Sequence, residues 1–429
     1  MSLVLPRLMS VEKYIIQGRR RLQGEVRISG AKNAALPVMA AALLTSDECV
    51  IDNVPSIEDT RTMAELLSCL GCEVQFEEEA HRIRICARQV SEVCAPAELA
   101  TKMRASFLVT GPLLGRFGTA GAPHPGGCSI GRRPVNVDIK GFASMGASVE
   151  QQDGSYLITA ARLHGEKLYL DYPSHTGTEN LLMAACLARG RTVIKNASAE
   201  PEVVALAACL VAMGAKISGA GTSIIEVEGV DRLFGAHLRI IPDRIEAGTF
   251  AIAAAITGGN VLLRDVIVAH MDPLTYKLVE AGVEVAESES TYRVRSNPKL
   301  RAVEVQTLQY PGFPTDLQAA FATMLTQAEG TSLVHERVYD NRLQYAGELC
   351  KMGASISVSG QTAVIHGPVS LAGARVRALD IRAGAALVLA GLAADGDTEI
   401  SEIHHISRGY ENIDERLRSL GASIERVEE

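Results

Sequence analysis

The sequence predicts an α/β protein of two similar domains, each built from three repeats of about 70 residues, and three observations predict it. At 429 residues the chain is too long for one simple core. A short phrase then recurs six times: an apolar helical tail, a Gly, a small or β-branched residue, and a strand. It reads LLSCLGCEV, FASMGASVE, LVAMGAKIS, LVEAGVEVA, LCKMGASIS and LRSLGASIE, with glycines at Gly71, Gly146, Gly214, Gly282, Gly353 and Gly421, spaced by 75, 68, 68, 71 and 68 residues. Finally, an Ala-rich and almost wholly apolar helix precedes each tail, as in ENLLMAACLARGRTVIKNA and GAALVLAGLAADGDTEISEI.

Each element of the repeat has its own reason. A helix apolar on all sides is buried on all sides, so the Ala-rich helices belong at domain centres. In five copies a short turn and a β-branched strand follow. The second helix ends at the recurrent Gly, which takes the left-handed turn that stops a helix, and the next residues begin a strand. The unit is therefore β-α-β-α-β-β, with one helix at the centre of a domain and one against a sheet. Cys69 and Cys72 form C-x-x-C inside the first copy of the tail, where packing explains them more simply than redox or zinc chemistry. The second copy departs. Where its siblings turn into a strand after the buried helix, it runs TAGAPHPGGCSIGRRPV, a Gly- and Pro-rich loop with Cys128 followed by Arg132 and Arg133. An insertion in one copy of a repeat is where function concentrates.

Composition bounds the function. Hydrophobic residues make up 47% and charged residues 21%, as in an ordinary globular protein. A net charge of -8 argues against general binding to nucleic acid or to a membrane surface, while leaving room for a local basic pocket. No apolar run reaches the ~18 residues of a membrane span. The opening MSLVLPRLMSVEKYIIQG lacks a long apolar stretch and a small-residue cleavage site, so no secretory signal is expected. Nine scattered cysteines read as reduced thiols, and the chain is expected to be cytoplasmic.

Threefold repetition should bring the beginnings of the buried helices together, and those beginnings are polar: SGAKNAALP, TKMRASFLV, HTGTENLLM, PDRIEAGTF, FPTDLQAAF and DIRAGAALV. They offer Lys32, Asn33, Arg104, Thr178, Glu179, Asn180, Arg244, Glu246, Asp316 and Arg382. Free N–H groups and the helix dipole attract anions there, and Lys and Arg add to the pull. Any single one of these residues could simply cap its helix; six polar ends beside a Gly-Cys-Arg loop point to a ligand bearing phosphate or carboxylate.

Together SGAKNAALP, RAS followed by GPLL, PGGCSIGRRPV, PDRIEAGTF, FPTDLQ, DNR, DIRA and HISRGYE resemble the enolpyruvyl transferases, and among them the UDP-N-acetylglucosamine 1-carboxyvinyltransferase family. The match runs from about residue 11 to the C-terminus with the motifs in order. It implies two inverted, inside-out α/β barrel-like domains: a C-terminal catalytic domain of residues 1–30 with 242–429, entered by the first strand, and an N-terminal domain of 31–241 carrying the Cys128 loop. It implies a reaction in which a sugar 3′-hydroxyl attacks C2 of phosphoenolpyruvate, C3 gains a proton and phosphate leaves, the first committed step of peptidoglycan synthesis. Fixed cations would be needed to bind such a substrate.

By motif match, Lys32, Arg133 and Arg408 would hold the phosphate, and Arg342 and Arg382 would lie near the carboxylate. Asp316 would act as base toward the sugar hydroxyl or orient it, although PTDLQ also fits a helix cap. Asn33, Arg104, the run Arg133, Pro134, Val135, Asn136 and Val137, and Val338 would face the UDP-sugar. Cys128 would donate the proton to C3, could carry a covalent phosphoenolpyruvate or pyruvate adduct, and would react with fosfomycin. Two arginines and a Gly-rich loop should lower its thiol pKa from about 8.5. No metal and no separate cofactor are implied. His404 and His405 are adjacent, and on a strand they would point to opposite faces.

The chain departs from the family where Asn136 and Asp138 replace an Asp and a His, and where His175 and Thr176 replace Val-Gly, both on the nucleotide side. Other readings compete. A different acceptor is one, although the shikimate branch begins with a Lys-Ser motif and lacks the Gly-Gly-Cys loop. A catalytically dead nucleotide sensor is another; it would be expected to lose Lys32, Cys128, Asp316 or Arg408, and all four are present.

Overall fold

The computed structural model describes residues 12–126, 130–131, 134–296 and 299–428. They fall into two compact units. The terminal unit holds the described residues of Met1–Arg27, Ala247–Thr307 and Thr315–Glu429; the middle unit holds those of Ile28–Glu246 and Leu308–Pro314. The divisions fall a few residues from the family-based 30/31 and 241/242, and Leu308–Pro314 goes with the middle unit. The two passages near residues 30 and 242 run antiparallel to each other: Ala31 N–H donates to Ile241 O at 2.7 Å and Asp243 N–H to Ser29 O at 2.9 Å. A side chain at Gly30 would put its Cβ 1.8 Å from Asn53 O, so only glycine passes there.

Each unit carries three open sheets, and no closed barrel forms among the described residues. Arg191–Lys195 shows the repeat plan: it pairs parallel with Lys167–Tyr169 and antiparallel with Ile224–Glu228, which pairs with Lys216–Ser218. Strands from distant sequence complete other sheets. His237–Arg239 lies parallel to Glu48–Asp52, Gln23–Arg27 lies parallel to Asn260–Arg264, and Glu12–Gln17 is inserted between Asp397–Ser401 and Ser423–Glu428. The six recurrent glycines all have positive φ, from 90° at Gly282 to 102° at Gly214, as the left-handed helix stop requires.

The Ala-rich helices are central as their composition demands: every residue of Ile381–Ala393 is buried. In the middle unit, helices Thr110–Phe117 and His175–Ala185 approach so closely that a Cβ at Gly111 would sit 2.3 Å from Asn180 O. Asn180 ties the helices together. It accepts from Gly111 N–H at 2.7 Å and donates to Thr110 Oγ1 at 2.9 Å and Asp138 Oδ1 at 2.8 Å.

The second repeat corrects one expectation. TAGAP is not loop: Thr119–Pro123 is a strand, antiparallel to Ser155–Thr159. Its small residues hid it, because it is buried against Cys94 and a Cβ at Gly121 would lie 2.8 Å from Cys94 Sγ. What this repeat lacks is the parallel first strand, replaced by an isolated bridge between Cys94 and Gly121 in a three-stranded sheet. The packing reading of C-x-x-C holds for Cys72, which is buried with its thiol pushed up to about 12 by desolvation, whereas Cys69 is exposed at the end of helix Glu58–Cys69.

Candidate active site

In the terminal unit the helix beginnings gather a carboxylate between two guanidinium groups. Asp316 is the second residue of helix Thr315–Leu325, and Arg382 is the second of helix Ile381–Ala393. Arg382 donates Nε at 3.1 Å and Nη2 at 2.9 Å to Asp316 Oδ2, while Arg342 Nη2 donates to Oδ1 at 2.7 Å. Both arginine side chains are 5% exposed and Asp316 is 25% exposed, so the open side of the cluster is the carboxylate. Asp380 caps the second helix by accepting from the N–H groups of Arg382 and Ala383 at 2.7 and 3.0 Å, which fixes the turn bearing Arg382. The Arg382 guanidinium also stacks over Tyr410 at 5.2 Å, and the Tyr410 hydroxyl meets Thr249 Oγ1 at 2.9 Å. Arg408 follows the short helix His404–Ser407, and the next residue, Gly409, comes close to Arg382: a Cβ there would be 3.9 Å from its Nη1. Val338 lies in the loop before Arg342, its N–H donating to Glu336 Oε1 at 2.7 Å. His404 and His405 lie on that short helix and not on a strand, with ring centroids 4.1 Å apart. No cluster of three or more metal-ligating side chains exists among the described residues.

In the middle unit Lys32 opens helix Lys32–Ala41. Its N–H donates to Asp243 Oδ2 at 3.3 Å, and its ammonium meets Asp59 Oδ2 at 3.3 Å with both side chains largely buried. Asn33 follows, half-buried. Arg104 Nη2 donates to Pro134 O at 3.0 Å, which joins two of the predicted nucleotide-side positions. Within the predicted run, Pro134 and Asn136 are exposed, while Val135 and Val137 are buried in the core. Cys128 and Arg133 lie outside the described residues.

Several of the polar helix ends serve the fold. Arg244 is neutralised by Glu200 at 2.5 Å and Glu202 at 3.0 Å, Thr178 Oγ1 accepts from Ser198 N–H, and Glu246 accepts from Ser29 N–H. Desolvation pushes the buried Asp138 carboxyl up, against the Asn180 hydrogen bond and the Arg104 charge, which pull it down. For His175, burial opposes the charge, but Glu179 at 3.1 Å, with Glu202 and Glu200 beyond, outweighs it and raises the imidazole to about 10. Sequence reasoning missed Asp59, Asp380 and Glu336. Asp380 could have been found, as an Asp directly before a predicted helix start; Asp59 meets Lys32 and Glu336 meets Thr315 from separate segments of the chain.

The comparisons with known proteins show the family and the fold. The family model described as EPSP synthase (3-phosphoshikimate 1-carboxyvinyltransferase) matches residues 16–417. A UDP-N-acetylglucosamine 1-carboxyvinyltransferase 2 of Carboxydothermus hydrogenoformans is 52% identical over 97% of this chain and 100% of its own. A UDP-N-acetylglucosamine 1-carboxyvinyltransferase 1 of Caldanaerobacter subterraneus subsp. tengcongensis is 49% identical over 96% of this chain and 99% of its own. Among solved structures, the enolpyruvyl transferase NikO from Streptomyces tendae superposes with a TM-score of 0.89 at 27% identity, covering 98% of this chain and all of that one. An EPSP synthase from Acinetobacter baumannii, at 18% identity and a TM-score of 0.74 over 98% of this chain and all of its own, shares the fold. With repeats, helix-end cluster and near full-length identity in accord, the chain belongs to the UDP-N-acetylglucosamine 1-carboxyvinyltransferase family, within the wider enolpyruvyl transferase group.

Proposed function

We propose that this chain transfers the enolpyruvyl group of phosphoenolpyruvate to the 3′-hydroxyl of UDP-N-acetylglucosamine with release of phosphate, the first committed step of peptidoglycan synthesis. The observation that carries the chemistry is Asp316 held between Arg342 and Arg382 at 2.7 and 2.9 Å, in a chain about half identical to enzymes of that name. Asp316 takes the proton of the sugar hydroxyl as its oxygen bonds to C2, and Cys128 delivers a proton to C3. Return of a C3 proton to the Cys128 thiolate, with the C–H electron pair forming the C2–C3 double bond as the C2–O bond to phosphate breaks, completes the elimination. Lys32, Arg133 and Arg408 hold the phosphate, and Arg342 and Arg382 the carboxylate. Before substrate arrives the two guanidinium groups spend N–H donors on Asp316. A substrate carboxylate competes for those donors, and each one that turns to it leaves Asp316 a stronger base. Asn33, Arg104, Pro134, Asn136 and Val338 form the sugar-nucleotide side, and Val135 and Val137, whose side chains are in the core, take part in it through their backbone. No separate cofactor enters this scheme; any covalent adduct forms on Cys128.

The substrates are small molecules. No helix among the described residues is long and apolar enough to cross a membrane, and a cytoplasmic location suits both substrates. Asn136, Asp138 and His175, all departures on the nucleotide side, favour a second reading in which another uridine nucleotide is the acceptor. Measuring phosphate release from phosphoenolpyruvate with a panel of uridine nucleotides and UDP-sugars tests both. Fastest release with UDP-N-acetylglucosamine is expected. A preference for another acceptor overturns the first reading in favour of the second, and no release with any acceptor overturns both.

A further inference from the structure

We propose that Glu336 is a positioning residue that sets the base through Thr315 and Arg342, an inference that rests on reading Asp316 as the base. Glu336 is fully buried, where an ionised carboxylate persists only if its oxygens are satisfied. They are: Oε1 accepts from Val338 N–H at 2.7 Å and Tyr339 N–H at 3.1 Å, and Oε2 accepts from the Thr315 hydroxyl at 2.7 Å. The Thr315 oxygen in turn accepts from Arg342 Nη1 at 3.2 Å, and Arg342 Nη2 donates to Asp316 Oδ1 at 2.7 Å.

The direction of every bond in this chain is determined. A guanidinium only donates, so Thr315 must accept from Arg342 and spend its one hydroxyl proton elsewhere. The partner that suits that proton is a group that only accepts, which is an ionised carboxylate. Glu336 thereby aims the hydroxyl lone pairs at Arg342 Nη1, which anchors one end of the guanidinium and so sets where Nη2 lies beside Asp316. The same carboxylate pins the Val338 turn, so one buried charge sets both the base and the position assigned to the sugar side. A support of this kind decides whether a reacting group sits within tenths of an ångström of its working place.

Glu336→Gln tests the proton logic without changing size. The Gln carbonyl can keep Val338 and Tyr339, but its NH2 then faces Thr315 and offers that hydroxyl a second donor. The expected result is a fall in kcat of about 10- to 100-fold with KM for UDP-N-acetylglucosamine within about threefold of the parent. Thr315→Val should fall as far, and Thr315→Ser, which restores the hydroxyl, should return to within about threefold of the parent. A merely structural role would give Val and Ser the same kcat at matched melting temperature. The Thr315 pair also decides the matter should Glu336→Gln fail to fold. Asp316→Asn, assayed beside them, separates the two ideas. If it is impaired while Glu336→Gln or Thr315→Val turns over like the parent, the positioning role is wrong. If Asp316→Asn itself keeps full turnover, the assignment of the base is wrong and the role of Glu336 falls with it.

Discussion

Asp316 is where charge balance is most sensitive to a single atom. Its carboxylate faces two largely buried guanidinium groups, and replacing it by Asn keeps the shape while removing both the charge and the proton acceptor. Asp316→Asn should lower kcat by roughly 10²–10⁴-fold, the usual scale of general acid–base work, with KM little changed. Steady-state kinetics at saturating phosphoenolpyruvate measures this, and a near-normal kcat would reduce Asp316 to a partner of Arg342 and Arg382. A second residue-scale test concerns Cys128. Desolvation raises the thiols of Cys49, Cys72, Cys186 and Cys209, to about 12 for Cys72 and Cys186 and about 11 for Cys209, so these four are poor nucleophiles at neutral pH. The exposed thiols Cys69, Cys94 and Cys350 are the true competitors. A small anionic epoxide such as fosfomycin should label Cys128 before any of them, and faster with UDP-N-acetylglucosamine present. Cys128→Asp should retain some turnover and lose labelling, whereas Cys128→Ala should lose both. Mass spectrometry that finds the label first on Cys69, Cys94 or Cys350 would remove Cys128 from the mechanism.

Elements that repeat were the most legible from residues alone. The helix-stop glycines could be read because a left-handed turn is a local demand, and all six satisfy it. The Ala-rich helices could be read because a helix without a polar face has nowhere to go but the centre. Thr119–Pro123 could not, since strand character in TAGAP comes from close packing on Cys94 and not from β-branched residues. Nor could the fate of Arg244, Glu246 and Thr178, whose types and places promised a ligand but whose partners Glu200, Glu202, Ser29 and Ser198 come from other segments. Asn180 belongs to the same class. It reads as a polar helix beginning and proves to be a buried bolt between helices. Asn180→Leu would leave Gly111 N–H unpaired and take from the buried Asp138 carboxyl the donor that Asn180 supplies. A loss of about 2–4 kcal/mol in urea unfolding is expected, since buried groups left without partners cost about 1–3 kcal/mol each. A loss under about 0.5 kcal/mol would mean that these groups find other partners and that the bolt is dispensable.

At the scale of the whole chain, periodicity counted six repeats, but it could not say which strand completes which sheet. That depends on segments hundreds of residues apart, such as Tyr14 pairing with both Ile400 and Arg426, and only the family resemblance foretold that the first strand joins the C-terminal repeats. Where this segment leaves the sheet it is held by local fit and by charge. Gly18 lies so near the end of helix Ile381–Ala393 that a Cβ would be 2.1 Å from Ala394 O, and Arg19 N–H donates to Leu392 O at 2.9 Å. The Arg19 guanidinium then grips Asp395 at 2.6 and 2.8 Å, with Ser370 donating to the same carboxylate at 2.9 Å. These hydrogen bonds, the one from Arg19 foremost, hold the Asp395 carboxyl down at about 2. A carboxyl whose folded pKa lies below its unfolded value of about 3.9 contributes stability above that unfolded value and loses it as pH falls toward the folded one. The parent should therefore melt higher than Asp395→Asn at pH 7, and the gap should close as pH drops from about 4 to about 2. Because both side chains are more than half exposed, the gap should be small and should narrow in high salt. Melting curves of the two proteins across that pH range decide the matter. A gap that stays constant through the acid range, or none at pH 7, would show that backbone fit at Gly18 holds the segment without help from this ion pair.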